Sequence, residues 1–142
     1  MDRARILLAD DHEEMRDLVK RVLENEFEVL DSVENGFELL KAAAKLKPDV
    51  CLLDISMPVL SGIEAATQLK ESCSTAKIVF LTIHEDLEYV QAALRTGASG
   101  YVVKRELVTD LRSAIREALA GRIFISSSLV FGKEPEQKGE VP

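Results

Sequence analysis

Apolar and polar positions alternate along this chain in blocks of two different periods. Continuous apolar runs at 4–9 (ARILLA), 49–55 (DVCLLDI), 77–83 (KIVFLTI) and 100–104 (GYVVK) predict short strands buried on both faces. The run at 27–33 (FEVLDSV) mixes the two kinds and predicts a strand nearer a sheet edge. Between the runs, apolar residues recur every three or four positions. Met15, Leu18, Val19, Val22 and Leu23 predict a first helix; Phe37, Leu39, Leu40, Ala43, Ala44 and Leu46 predict a second. Ile63, Ala66 and Leu69 carry a third, and a fourth runs from about Glu85 to Arg95. Leu107, Leu111, Ala114, Ile115, Ala118 and Leu119 form the fifth. Pro48, Gly97 and Gly121 stand where helices two, four and five must stop.

Five strand–helix units in series imply a parallel sheet with right-handed crossovers and helices on both faces. Sites in such sheets lie beyond the carboxyl ends of the strands, which directs attention there. The first strand ends in Asp10 and Asp11, the third in Asp54, the fourth in Thr82 and the fifth in Lys104. Two bare carboxylates about 4 Å apart repel by roughly 4 kcal/mol at an effective dielectric near 20. Three together call for a cation or raised pKa values. An all-oxygen donor set with few protein ligands suits Mg²⁺, which keeps several of its waters. Consecutive strand residues point to opposite faces, so Asp10 and Asp11 both serve only if the chain bends there.

Each residue alone has a plainer use. Asp11 fits a helix N-cap, with Glu14 completing a capping box. Asp54 fits a solvated strand end, Thr82 an ordinary strand residue and Lys104 a surface lysine. Tyr101 alone is a core side chain, while His12 and His84 read as solvent-facing loop residues. The conjunction at four strand ends of one repeating pattern is what points to chemistry.

Composition narrows the rest. The 142 residues make one domain, and Lys+Arg 18 against Asp+Glu 25 gives a net charge of −7. That balance argues against this domain gripping nucleic acid. Cys51 and Cys73 lack ligand spacing and read as reduced thiols. No apolar run reaches membrane-spanning length and the N-terminus does not read as a signal peptide, so the expected location is cytoplasmic with no membrane partner. Residues 1–122 are expected to form the domain, and 123–142, ending in GKEPEQKGEVP, an extension or linker flexible at its end.

The segments LLADDHEEMRDLVKRVL, DVCLLDISMPVLSGIEA, KIVFLTIHED and GASGYVVK together resemble a bacterial response-regulator receiver domain, over roughly residues 4 to 120. GASGYVVK, LRSAI and the following glycine are most similar to the NarL/FixJ branch, whose receivers usually precede a helix-turn-helix DNA-binding domain. The resemblance implies a flavodoxin-like doubly wound (βα)₅ fold with strand order 2-1-3-4-5. It implies that Asp54 accepts a phosphoryl group from a sensor histidine kinase or phosphotransfer protein. Asp11, Asp54 and the backbone carbonyl of Ser56 would bind Mg²⁺, with Asp10 in the acid pocket. Lys104 would pair with Asp54 and then with the phosphoryl oxygens, Thr82 would donate its hydroxyl, and Tyr101 would be the switching aromatic. The surface of the fourth helix, fifth strand and fifth helix would carry the output. A homodimer would use that surface or the first and fifth helices. Arg105 departs from the pattern, since many receivers carry proline there.

Three other readings are weaker. An aspartate-nucleophile phosphatase of the haloacid-dehalogenase type needs a second carboxylate at Ser56. A nucleotide or flavin binder needs a glycine-rich loop after the first strand. An interaction-only receiver usually lacks an acid, the threonine or the lysine, and all are present here.

Overall fold

The computed structural model describes residues 3–72 and 75–129. Its elements follow the predicted alternation: β1 (Arg5–Ala9), α1 (Glu13–Leu23), β2 (Glu28–Val33), α2 (Gly36–Leu46), β3 (Val50–Leu53), α3 (Gly62–Ser72), β4 (Lys77–Thr82), α4 (Leu87–Arg95), β5 (Gly100–Val103), α5 (Leu107–Leu119) and β6 (Phe124–Ile125). All pairings are parallel, in the order β2-β1-β3-β4-β5-β6. The predicted order therefore holds for the first five strands, and β2 lies at an edge as its mixed pattern suggested.

Strand periodicity divides the core into two. Leu7, Ala9, Cys51, Leu53, Ile78, Phe80 and Tyr101 face one way, under α2, α3 and α4. Ile6, Leu8, Val50, Leu52, Val79, Leu81 and Val102 face the other way, under α1 and α5. Most are wholly buried, and each such Leu or Ile contributes roughly 1.5–3 kcal/mol. Burial on both faces is why these strands read as unbroken apolar runs.

Two boundaries differ from expectation. Helix α4 begins at Leu87 with Asp86 as its N-cap, because Glu85 and Asp86 belong to the loop leaving β4. Helix α1 is capped by His12, not Asp11, and no side chain bonds its first turn, so the expected capping box does not form.

The sheet also gains a sixth strand. Gly121, at φ +82°, turns the chain after α5, and Phe124 and Ser126 donate their amides to the carbonyls of Ser99 and Tyr101 at 3.0 Å each. Buried Ser126 secures the strap. Its Oγ accepts the Val103 amide and donates to Asp110, both at 3.0 Å. A two-residue strand has no periodicity to betray it, so residues 123–129 carried no such signal. Residues 130–142, and Cys73, lie outside the described residues.

One loop conformation is strained. Val59 sits at φ +69° between β3 and α3 and is 78% exposed. A β-branched side chain in the left-handed region costs about 1–2 kcal/mol, and little packing offsets it here. Val59→Gly should therefore raise stability by about 0.5–1 kcal/mol, after the larger unfolded-state entropy of glycine is subtracted. Urea denaturation measures it; an unchanged or lower midpoint would show that the loop is not strained.

Candidate functional site

The strand ends meet on one rim because neighbouring strands are in register. Ala9 pairs with Leu53, and the Asp54 amide donates to the Ala9 carbonyl at 3.1 Å. Asp10 and Asp54 are thus set side by side by the ladder itself. Thr82 pairs with Val103, which brings Lys104 to the same level from the far strand. The chain bends at Asp11, and this bend lets both acids of the pair turn toward one point.

Lys104 Nζ stands 2.7 Å from Asp10 Oδ2 and 3.2 Å from Asp54 Oδ2, with only 9% of its side chain exposed. Asp10 and Asp54 are themselves buried. The second oxygen of each acid is also engaged. Asp10 Oδ1 accepts the His12 amide at 2.9 Å, and Asp54 Oδ1 accepts the Ile55 amide at 2.7 Å. Arg16, from α1, donates to the Asp10 carbonyl at 2.7 Å and anchors the strand end.

Burial is the largest influence on Asp54 and raises its pKa; Lys104 opposes this and the charge of Asp10 reinforces it. Burial likewise pulls on Lys104, downward, but its hydrogen bond to Asp10 and the charges of both acids together hold its pKa above the ordinary lysine value. A single ammonium is left facing two carboxylates. Ligand atoms of Asp10, Asp11, His12 and Asp54 all lie within 4.8 Å of one another. The carboxylates offer hard oxygen donors at the solvent edge, a set that fits a divalent cation.

A second group of residues surrounds this cluster toward α4. Thr82 is wholly buried, and its Oγ1 accepts the His84 amide at 3.3 Å. Tyr101 is also wholly buried, its hydroxyl donating to the His84 carbonyl at 2.7 Å. Ser56 Oγ lies 2.7 Å from His84 Nε2, and the His84 ring stacks on Tyr89 of α4 with centroids 4.0 Å apart. Arg105, where proline is common, forks onto Glu85 with two bonds of 2.8 Å from the single turn that follows β5.

All seven predicted site residues therefore lie at this end of the sheet: Asp10, Asp11, Asp54 and Lys104 in the acid cluster, and Ser56, Thr82 and Tyr101 in the group about His84. The histidines lie in loops as expected, and His12 is largely exposed, but both have polar neighbours at the site. His12 is a neighbour of both Asp10 and Asp11, and His84 ties Ser56 to α4. Each follows a predicted site residue directly or by one position, and that adjacency was the only signal in the sequence.

Gly62 supports the floor of the site. A Cβ there would stand 2.0 Å from the Asp54 carbonyl oxygen, so only glycine allows α3 to start this close.

Comparison with known proteins agrees with this geometry. A family model described as the response regulator receiver domain matches residues 6–116. The transcriptional regulatory protein DegU of Brevibacillus brevis is 38% identical over 126 residues, covering 87% of this chain and 53% of DegU. The chemotaxis protein CheY of Halobacterium salinarum is 38% identical over 114 residues, covering 80% of this chain and 95% of CheY. The chain thus spans about half of the first relative and nearly all of the second. A crystal structure of a LuxR-family two-component response regulator from Aurantimonas sp. SI85-9A1 superposes with a TM-score of 0.89. It is 30% identical, covering 98% of this chain and 100% of that one.

The raised Asp54 pKa has a consequence for stability. The folded state holds this proton more tightly than the unfolded chain does. Its favourable contribution is therefore full below the ordinary carboxylate range and is lost as pH rises through the raised value. Asp54→Asn should be more stable than wild type at pH 7 without divalent metal, on the order of 1 kcal/mol, and the difference should shrink as pH falls. Urea midpoints at pH 7 and pH 5 test this; a mutant advantage that grows on acidification would contradict it.

Proposed function

The chain belongs to the response regulator receiver family of two-component systems, in its NarL/FixJ-like branch, and on that premise we propose that Asp54 is its phosphoacceptor. The observation that carries this reading is the buried Lys104 bridge between Asp10 and Asp54. A lysine held against the acceptor carboxylate is already beside the oxygens that a phosphoryl group would bring.

In the proposed reaction an Asp54 oxygen forms a bond to phosphorus as the P–N bond of a kinase phosphohistidine breaks, leaving neutral or protonated imidazole on the donor. Phosphoryl transfer depends mainly on positioning and charge neutralisation. Asp54 is oriented by the Ile55 amide on one oxygen and by Lys104 on the other. Asp11, Asp54 and the Ser56 carbonyl, with Asp10 nearby, are the proposed Mg²⁺ ligands; the ion supplies the positive charge that one ammonium lacks. Lys104 would then transfer its contact from the Asp54 carboxylate to the phosphoryl oxygens. Thr82, buried at the end of β4, would donate its hydroxyl to the same group.

The product, a 4-aspartylphosphate, adds charge where the site is already acidic. We assign Thr82 and Tyr101 as the switch that reports this to the surface of α4, β5 and α5. A coupling of about 1–3 kcal/mol biases such a surface without locking it. The family is regulatory, and beyond phosphoryl transfer from its partner the chemistry proposed for the chain is self-phosphorylation from small phosphodonors and autodephosphorylation. Its proposed partners are a sensor histidine kinase or phosphotransfer protein and an output, transcription being the one suggested by DegU-like relatives. Homodimerisation through α4, β5 and α5, or through α1 and α5, belongs to the same proposal. Among the described residues no helix is long and apolar enough to cross a membrane, in keeping with the proposed cytoplasmic setting. Residues 1–122 would be the receiver proper and 123–142 an extension whose first residues, through β6, pair onto its sheet.

Intact mass after acetyl phosphate treatment tests the assignment. Wild type should gain one phosphoryl group in Mg²⁺ and little in chelator, and Asp54→Asn should gain none. A gain by the mutant would move the acceptor to another residue.

Gly62→Ala gives a separate check. The added methyl must push α3 or the Asp54 carbonyl aside, so both stability and phosphoryl uptake should fall, stability by about 2 kcal/mol or more. Unchanged uptake with wild-type stability would mean that the close approach at Asp54 is dispensable.

A further inference from the structure

A groove of about 410 Å³ runs between α4 and the β6 strap, lined by Leu87, Val90 and Leu94 of the helix and by Ile125, Ser128 and Leu129 of the strap. Scattered apolar side chains on a surface need no explanation, but a concave apolar site between two elements does. Glu85 also borders the groove, with both carboxylate oxygens taken by Arg105. What the groove offers an occupant is therefore mainly apolar contact.

The chain itself leads into this place. Phe124 packs on the core under α1 and α5, whereas Leu129 packs on the core under α2, α3 and α4. Between these two residues the strap passes over the β5 edge of the sheet. Its heading is fixed on the way: Ser126 is bonded to Val103 and Asp110, Ser128 Oγ donates to Glu106 at 3.1 Å, and the Leu129 amide donates to the Ser126 carbonyl at 3.0 Å. Val130 and Phe131, outside the described residues, follow at once, before Gly132 and the charged run KEPEQKGE. At no more than about 3.6 Å per residue, the Phe131 Cα stays within about 7 Å of that of Leu129.

We propose that the groove is the docking site of Val130 and Phe131 of its own chain, with the aromatic ring seated against Leu94 and Ile125. An apolar pair that follows directly on a groove-lining leucine gains burial there and loses it anywhere else within its reach. A segment tethered this closely also acts at an effective concentration of about millimolar or more. It therefore fills the groove ahead of a second copy or a separate partner at lower concentration. The docked pair lies on α4, which ties the extension to that helix. Its release on phosphorylation rests on the receiver reading: when α4 rearranges the groove changes shape, and the helix face and the extension become available together.

NMR of the full chain with labelled methyl groups tests the docking. Nuclear Overhauser contacts should join the Phe131 ring to the Leu94 and Ile125 methyls, and the amides of 130 and 131 should exchange about tenfold or more slower than in an unstructured chain. Phe131→Ser should return the amide of 130 to the unstructured rate. Leu87→Ser, at an exposed position that leaves the fold intact, should speed exchange at both. Exchange at the unstructured rate in wild type, or ring contacts found only between differently labelled copies, would overturn the docking, the second result giving the groove to another molecule. Acetyl phosphate with Mg²⁺ then tests release: the contacts should fade in wild type and persist in Asp54→Asn. Contacts that persist in protein shown by intact mass to carry the phosphoryl group would overturn the release. Absence of any mass gain would instead overturn the Asp54 reading, and the docking would be judged by the ring contacts alone.

Discussion

A lysine shared between two buried carboxylates is the constraint around which this molecule is arranged. Lys104 arrives from β5, Asp10 from β1 and Asp54 from β3, so the bridge spans strands that are not all neighbours. Burying three charges is expensive, and mutual attraction offsets the cost only when geometry and extra hydrogen bonds are good. Here the Ile55 and His12 amides supply those bonds. The cluster still carries one negative charge more than it neutralises. Burial, reinforced by the charge of Asp10, raises the Asp54 pKa, and the unneutralised charge makes a cation welcome. Burying acids beside one another thus underlies both the cost to the fold and the proposed function.

The sheet places these charges through periodicity alone. Ile6 and Leu8, Val50 and Leu52, and Val102 face α1 and α5; continuing that alternation by one step gives Asp10, Asp54 and Lys104. Ile78 and Phe80, with Tyr101, face α2 to α4, and the next step along β4 gives Thr82. The strand-end residues are thus divided in advance: the charges lie toward one layer of helices, the hydroxyl and the aromatic toward the other. A phosphoryl group at Asp54 would act between the two layers, which is where a signal has to pass.

This division explains what was legible in the sequence. Strands buried on both faces give apolar runs, and each run ends at its functional residue, so Asp10, Asp54, Thr82 and Lys104 could be found by reading to the end of each block. Lateral features left no such trace. The ring contacts of His12 and His84 depend on loop paths, and a loop's path is set by bends and caps rather than by a repeat. The β6 strap depends on two amides and one buried hydroxyl, Ser126, which no hydrophobic pattern encodes. The α1 capping box was suggested by spacing but lost to a competing use: the bend at Asp11 serves the acid cluster, and the cap moved to His12.

The structure also constrains how the proposed switch can work. A simple picture has Thr82 move toward the phosphoryl group and Tyr101 fill the space it leaves. Here, however, Tyr101 is already buried, with its hydroxyl on the His84 carbonyl, while the His84 amide bonds Thr82 Oγ1. The aromatic ring has no inward journey left to make. Any rotation of Thr82 instead withdraws the acceptor of the His84 amide, and this disturbs a residue whose ring is stacked on Tyr89 and bonded to Ser56. In the proposed switch Tyr101 would serve as the buried anchor of the β4–α4 loop, and the loop would be the part that moves. Rearrangement at α4 would then follow from a change in one hydroxyl's partners.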